Sequence, residues 1–324
     1  MSGLSYLEAV VVGGLQGVTE LFPVSSLGHS IIIPALIGGS WAKDLSVSTP
    51  ESPYLAFIVG LHVATALALL VYFWRDWVRI ISGLVTSIRY RRIREDNERL
   101  AWLLILATIP VGIAGLLLEH LFRTTFGKPQ PAAIFLLLNG LILFGGEWLR
   151  RRSVLRADAV AAPIAGGGGG RADGHGTAIG NSADGGEAAL DVASDTRLSK
   201  LTFRNGVLIG CAQILALLPG ISRSGATMVA GLGRGLSHHD AARFSFLLAT
   251  PVIFAAGALK LPDLFGPLGN GIHGQILVGS LASFIGAYVS VRFLERYFRT
   301  RTLIPFAIYC TLAGAIAFVI LTVR

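Results

Sequence analysis

Six apolar runs dominate the chain and leave little choice of solvent: Tyr54–Trp74, Leu100–Leu118, Ala132–Trp148, Phe244–Leu261, Ile276–Val291 and Leu303–Val323. Each approaches the roughly 20 residues that carry an α-helix across a hydrocarbon core. Only 14% of the residues are charged against 53% hydrophobic, whereas a soluble domain carries about 25% charged residues. In lipid every backbone donor and acceptor must be satisfied within its own segment, so runs of this length form helices. The expected fold class is an all-α integral membrane protein with about six transmembrane helices. Residues 1–15 contain no lysine or arginine, so the basic start of a cleaved signal peptide is missing and the first apolar stretch should stay in the mature protein.

Residues 153–200 break this pattern with Gly166–Gly170 and scattered Asp, Ala and Ser lacking apolar periodicity, which reads as a flexible linker. A phosphate-binding loop is excluded because no Gly-Lys-Ser/Thr follows the glycines. The linker separates a first membrane half, 1–152, from a second, 201–324. The halves resemble each other at one place. Gln16 precedes Ser25-Ser26-Leu27-Gly28 by nine residues, and Gln213 precedes Ser222-Arg223-Ser224-Gly225 by the same nine, with Pro23 and Pro219 nearby. Each region reads as two short helical pieces around a broken turn: Leu4–Phe22 then Ser26–Ile37, and Leu201–Leu218 then Ser224–Leu236. A broken pair returns to the side it left and three crossings follow, so the halves should form an inverted repeat with the broken helices meeting at a central site.

Charge orients this scheme. Of 27 lysines and arginines, 19 fall on the side opposite the N-terminus, five on the N-terminal side and three in the second broken region. That bias makes the linker side cytoplasmic and the N-terminal side external. The net charge of +8 does not argue for nucleic acid, because the arginines stand at the ends of apolar runs as topology determinants. Cys211 and Cys310 lie in apolar stretches without metal-ligand spacing.

Ionisable residues at membrane depth are costly and usually line a cavity or meet a partner. Gln16 and Glu20, four apart on one helix face, can hold a cation or position a base. Ser26 and His29, three apart in the next piece, can pair as nucleophile and base or bind a phosphate. Ser25 and Gly28 alone suit close helix packing. In the second cluster, Ser222, Arg223, Ser224 and Thr227 surround Gly220 and Gly225 at a helix start. This is chemistry for an anion: free backbone N–H groups, hydroxyls and a guanidinium fork. Glu8 reads as a helix-dipole partner, His62, His120, His238, His239 and His273 as packing or boundary residues, and Asn139 and Glu147 as interhelical hydrogen-bonding groups.

The regions Gln16–His29 and Pro219–Thr227, together with Phe73-Trp74-Arg75 and Phe244–Ala249, resemble the undecaprenyl-diphosphatases, the bacitracin-resistance membrane phosphatases of bacteria. The resemblance covers nearly the whole chain outside 153–200, which is long compared with the usual link. It implies removal of the terminal phosphate of undecaprenyl diphosphate at the external face of the bacterial plasma membrane. The carrier of cell-wall precursors is thereby recycled and resistance to bacitracin conferred. The implied catalytic residues are Glu20, Ser26, His29 and Arg223. The implied substrate contacts are Ser25, Ser222, Arg223, Ser224 and Thr227, and the implied ligands of a divalent cation, Mg or Ca, are Gln16 and Glu20. Gln16 stands where many members have glutamate, leaving one anionic ligand in place of two. The partners are a prenyl diphosphate lipid, membrane lipids and, where the chain pairs with itself, a homodimer. The competing class is a lipid or anion transporter using the same inverted-repeat site.

Overall fold

The computed structural model describes residues 4–45, 53–161, 192–266 and 271–323. Their regular structure is helical throughout: α1 Tyr6–Leu21, α2 Ser26–Ile37, α3 Gly39–Asp44, α4 Pro53–Tyr72, α5 Trp74–Tyr90, α6 Asp96–Phe126, α7 Pro129–Ala161 and α8, residues 192–199. Then follow α9 Phe203–Ala212, a 3-10 turn Gln213–Leu217, α10 Arg223–Leu232, α11 His238–Phe265, α12 His273–Tyr297 and α13 Ile304–Val323. Among the described residues, five helices (α6, α7, α11, α12, α13) are long and apolar enough to cross a bilayer. The sixth expected run is α4, which turns by 84° into α5. The fold is that of a multi-pass membrane protein.

Helix α5 was not expected, and its composition explains the bend. Trp74, Val78, Ile81, Val85 and Ile88 are exposed along one stripe while arginines stand at both ends, a pattern that suits an interface and not a crossing. Both broken pairs form. At α1–α2 the chain is extended at Phe22 and Pro23 follows, where the missing N–H and fixed φ of proline end the helix. At α9–α10 the last helical turn tightens into the 3-10 segment before Pro219 and Gly220. The piece read as Ser224–Leu236 ends earlier, at Leu232, because Gly233 and a left-handed Gly235 (φ 86°) follow.

The halves are interlocked. α1 packs along α12, and α9 packs along α6, while α7 pairs with α13 and α4 with α11 and α12. A Cβ at Gly17 would lie 2.2 Å from the Ser283 carbonyl oxygen, so α1 approaches α12 at backbone distance, as small residues allow in membranes.

Both ends of the segment read as a linker are helical: α7 continues to Ala161, and α8 occupies 192–199. Gly166–Gly170 lies outside the described residues. Helix α8 is held by charge. Arg243, wholly buried, donates from Nε to Asp195 at 2.9 Å and lies 3.0 Å from Asp76. Arg197 donates to both oxygens of Asp240 at 2.9 and 2.7 Å. Buried charges in this number are tolerable only when paired, so α8 belongs to the folded body.

Candidate active site

Glu20, in the last turn of α1, is where the two halves meet. Its Oε2 accepts from the Ser26 hydroxyl at the first turn of α2 and from Gln16 Nε2 at 3.0 Å. Its Oε1 accepts from Arg223 Nη2, at the start of α10, at 3.0 Å. The Glu20 and Arg223 side chains are only 8% and 13% exposed. The i, i+4 spacing predicted for Gln16 and Glu20 places both side chains together, one turn apart. Among the described residues Arg223 spends only Nη2, on Glu20, so the rest of its fork remains for an anion.

His62 joins the cluster from α4. Its Nδ1 donates to the Ile58 carbonyl at 2.9 Å, which leaves Nε2 to accept from Gln16 Nε2 at 3.2 Å, 3.6 Å from Glu20 Oε2. The sequence assigns it to packing or the membrane boundary, whereas the structure places it at the site. The available signal was an ionisable side chain in the middle of an apolar run.

His29 has other partners than Ser26 or Glu20. Its Nδ1 donates to the Ser25 carbonyl at 2.6 Å, Nε2 accepts from the Tyr309 hydroxyl at 2.8 Å, and the rings stack with centroids 5.7 Å apart. Tyr309, on α13, lies in an apolar run with no motif around it. His29 is therefore held by α13 and by its own loop, not oriented by Glu20.

The hydroxyls around Arg223 hold the two loops together. Ser222 and Ser224 donate to the Phe22 carbonyl at 3.4 and 3.1 Å, and Ser222 Oγ accepts from Gly225 N at 3.1 Å as the cap of α10. Asn139 of α7 bridges the loops, accepting from Ser222 N and donating to the Pro23 carbonyl, both at 3.0 Å. Thr227 bonds back to the Arg223 carbonyl at 2.8 Å, and Ser25 Oγ caps Gly28 N at 3.3 Å. Of the side chains assigned to substrate contact, Arg223 alone keeps a charged donor surface, whereas the others are spent on loop geometry. Glu8 closes a capping box with Ser5 at the start of α1.

Ser25 has φ 69°, a left-handed conformation that costs a non-glycine residue about 1–3 kcal/mol and clusters at functional sites. It sits beside Ser26 and aims that hydroxyl back at Glu20. The loops themselves touch at glycine. A Cβ at Gly28 would lie 2.9 Å from Gly220 Cα. Gly220 has φ 115°, and a Cβ there would lie 2.4 Å from the Ala132 carbonyl oxygen. Gly220→Ala should therefore lower the thermal unfolding temperature markedly, since both the φ and the clash oppose alanine. An unfolding temperature equal to wild type would contradict this crossing.

As to a divalent cation, one carboxylate and one amide are the protein donors at the site, and among the described residues no cluster of three or more His, Cys, Asp or Glu can hold a metal. A set this small fits a divalent cation that keeps several waters and takes phosphate oxygens, as magnesium does.

The family model described as bacitracin resistance protein BacA matches residues 9–316. The chain is 65% identical over 321 residues to the undecaprenyl-diphosphatase of Mycolicibacterium paratuberculosis (strain ATCC BAA-968 / K-10), covering 99% of each. It is 56% identical over 342 residues to undecaprenyl-diphosphatase 2 of Frankia alni, covering 98% of each. With undecaprenyl-diphosphatase 2 of Chromobacterium violaceum it shares 39% over 318 residues, covering 97% of this chain and 98% of that one. A match of this extent, on a chain whose two broken loops converge on Glu20, makes the chain a member of the bacitracin resistance protein BacA family.

Proposed function

We infer that the chain hydrolyses undecaprenyl diphosphate to undecaprenyl phosphate and inorganic phosphate, recycling the lipid carrier and conferring bacitracin resistance. The observation that carries the mechanism is that one carboxylate, Glu20, holds a hydroxyl from the first half and a guanidinium from the second. In the proposed reaction the free donors of Arg223 bind the diphosphate oxygens bidentately. Ser26 Oγ attacks the terminal phosphorus as its proton passes to Glu20, and the bond to the bridging oxygen breaks, releasing undecaprenyl phosphate. Water then attacks the phosphoserine and releases inorganic phosphate. Gln16 and Glu20 would hold magnesium, which when bound adds charge stabilisation at the diphosphate. His62, within 3.6 Å of Glu20, is placed to receive the proton from it, and His29 with Tyr309 fixes the loop that carries Ser26. Transport of an unmodified lipid or anion is not favoured by the family or by the relatives.

Purified protein in detergent should release phosphate from a prenyl diphosphate with no gradient present, and chelation of magnesium should suppress that release. Protein inert toward every prenyl diphosphate, which instead moves the intact lipid across sealed vesicles, would reverse the reading.

The site is further proposed to open to the external face of the bacterial plasma membrane, with the 162–191 segment cytoplasmic. Support comes from the arginine bias and from the reciprocal packing of α1 on α12 and α9 on α6, the pattern expected of two inverted halves. A single cysteine introduced within residues 166–190 should react in intact cells with a permeant maleimide and not with an impermeant one. Labelling by the impermeant reagent would invert the orientation.

A further inference from the structure

Away from the loops, α5 and α6 enclose an apolar groove of about 450 Å³ with Pro251 of α11 at its back. Its α5 wall is Trp77, Ile80, Ile81 and Leu84, and its α6 wall runs from Ala101 to Leu116. At 1.5 Å rise per residue that wall is about 22 Å long, more than the roughly 15 Å depth of one leaflet's hydrocarbon. The groove is thus long enough for an acyl chain. The hydroxyl of Thr108 on its wall is spent on the Leu104 carbonyl at 2.8 Å, so that wall stays apolar toward a chain lying along it.

The polar end of this groove is strongly basic. The C-terminal half of α5 packs on the first turns of α6: a Cβ at Gly83 would lie 2.9 Å from Asn97, and Trp102 Nε1 donates to Ser87 Oγ at 2.9 Å. The connection between them therefore sits where the groove begins. It carries Arg89, Arg91, Arg92 and Arg94, all exposed, and none has an ion-pair partner among the described residues. Arg79, by contrast, is spent on Asp76 and Asp195. An amphipathic helix with an exposed apolar stripe, ending in four arginines within six residues, has the composition of an anionic-lipid site.

We propose that the α5–α6 groove binds an anionic phospholipid, its acyl chain along α6 and its phosphate against Arg89, Arg91, Arg92 and Arg94. A prenyl tail would satisfy the groove without engaging the arginines, since the diphosphate of the substrate is taken by Arg223.

The test uses the full chain in detergent, with native mass spectrometry after titration with phosphatidylglycerol, phosphatidylcholine or undecaprenyl phosphate. Wild type should retain phosphatidylglycerol at least tenfold better than phosphatidylcholine, arginines at an anionic surface contributing about fivefold each before salt screening. The quadruple variant R89Q/R91Q/R92Q/R94Q, altered only at exposed positions, should lose that preference. Gly112 lines the groove, and a Cβ there meets nothing within 4 Å. Gly112→Phe should therefore fill the space and lower retention of phosphatidylglycerol while phosphate release continues. Equal retention of both phospholipids, an unaltered preference in the quadruple variant, or undecaprenyl phosphate displacing phosphatidylglycerol in wild type would each overturn the proposal. If Gly112→Phe does not fold, the quadruple variant decides alone.

Discussion

Glu20→Gln should lower kcat for prenyl diphosphate hydrolysis by about 10²–10⁴-fold, the range in which a positioned general base contributes, with KM, read at saturating magnesium, unchanged or lower. Glutamine keeps the shape of the side chain and can still accept from Ser26, but it cannot carry away a proton. It also removes the charge that faces Arg223 at 3.0 Å, so the guanidinium is released toward the diphosphate. The two kinetic parameters should consequently separate: turnover falls while ground-state affinity holds or improves. Steady-state phosphate release across a substrate range, on protein with a wild-type elution profile, reads this directly. A variant that keeps wild-type kcat would remove Glu20 from proton transfer and leave it as a clamp between the halves. Ser26→Ala, made beside it, should be at least as slow, because the proposed nucleophile is gone.

Arg223→Lys should reduce kcat/KM by roughly ten- to hundredfold for each lost contact, from charge-assisted hydrogen bonds of about 1.5–3 kcal/mol. Lysine retains the charge but loses the planar fork, so it cannot grip two phosphate oxygens and reach Glu20 together. Arg223→Ala should be slower still and less stable, because it strands a carboxylate that is 8% exposed, and breaking a buried pair costs about 3–5 kcal/mol. Combining Arg223→Ala with Glu20→Gln separates the effects, since the stability loss should be less than additive. Arg204→Lys, at an exposed position near the start of α9, is the control and should match wild type. Wild-type kcat/KM in Arg223→Lys would dismiss the bidentate contact.

The broken helices were legible because they repeat: Gln16 and Gln213 stand nine residues before their serine clusters, with a proline near each break, and local chemistry dictates such turns. The convergence of Glu20, Ser26 and Arg223 followed from the inverted arrangement in which such loops meet. What escaped came from elsewhere in the chain. His62 and Tyr309 lie in long apolar runs without neighbouring motifs, and only helix packing brings them to the loops, whereas Asn139 makes the interhelical hydrogen bonds its residue type suggests, to Pro23 and Ser222. Spacing alone pairs His29 with Ser26, yet its partners are the Ser25 carbonyl and Tyr309 of α13, the second of which no local spacing reveals. Residues 192–199 looked too polar for a core element. Their helix exists through ion pairs with α5 and α11, long-range contacts that composition does not reveal.

The interlocking of α1 with α12 bears on how the molecule is made. Glu20 emerges from the ribosome about 200 residues ahead of Arg223, which at 5–20 residues per second is on the order of 10–40 s. Throughout that interval the nascent first half holds a carboxylate without its guanidinium, and α1 presents its small-residue face with no α12 to cover it. The boundary between the halves is thus not a boundary of assembly. The early helices must wait at the translocon or shelter against one another, and a chain that stops short of α12 leaves an open polar seam for membrane quality control to recognise.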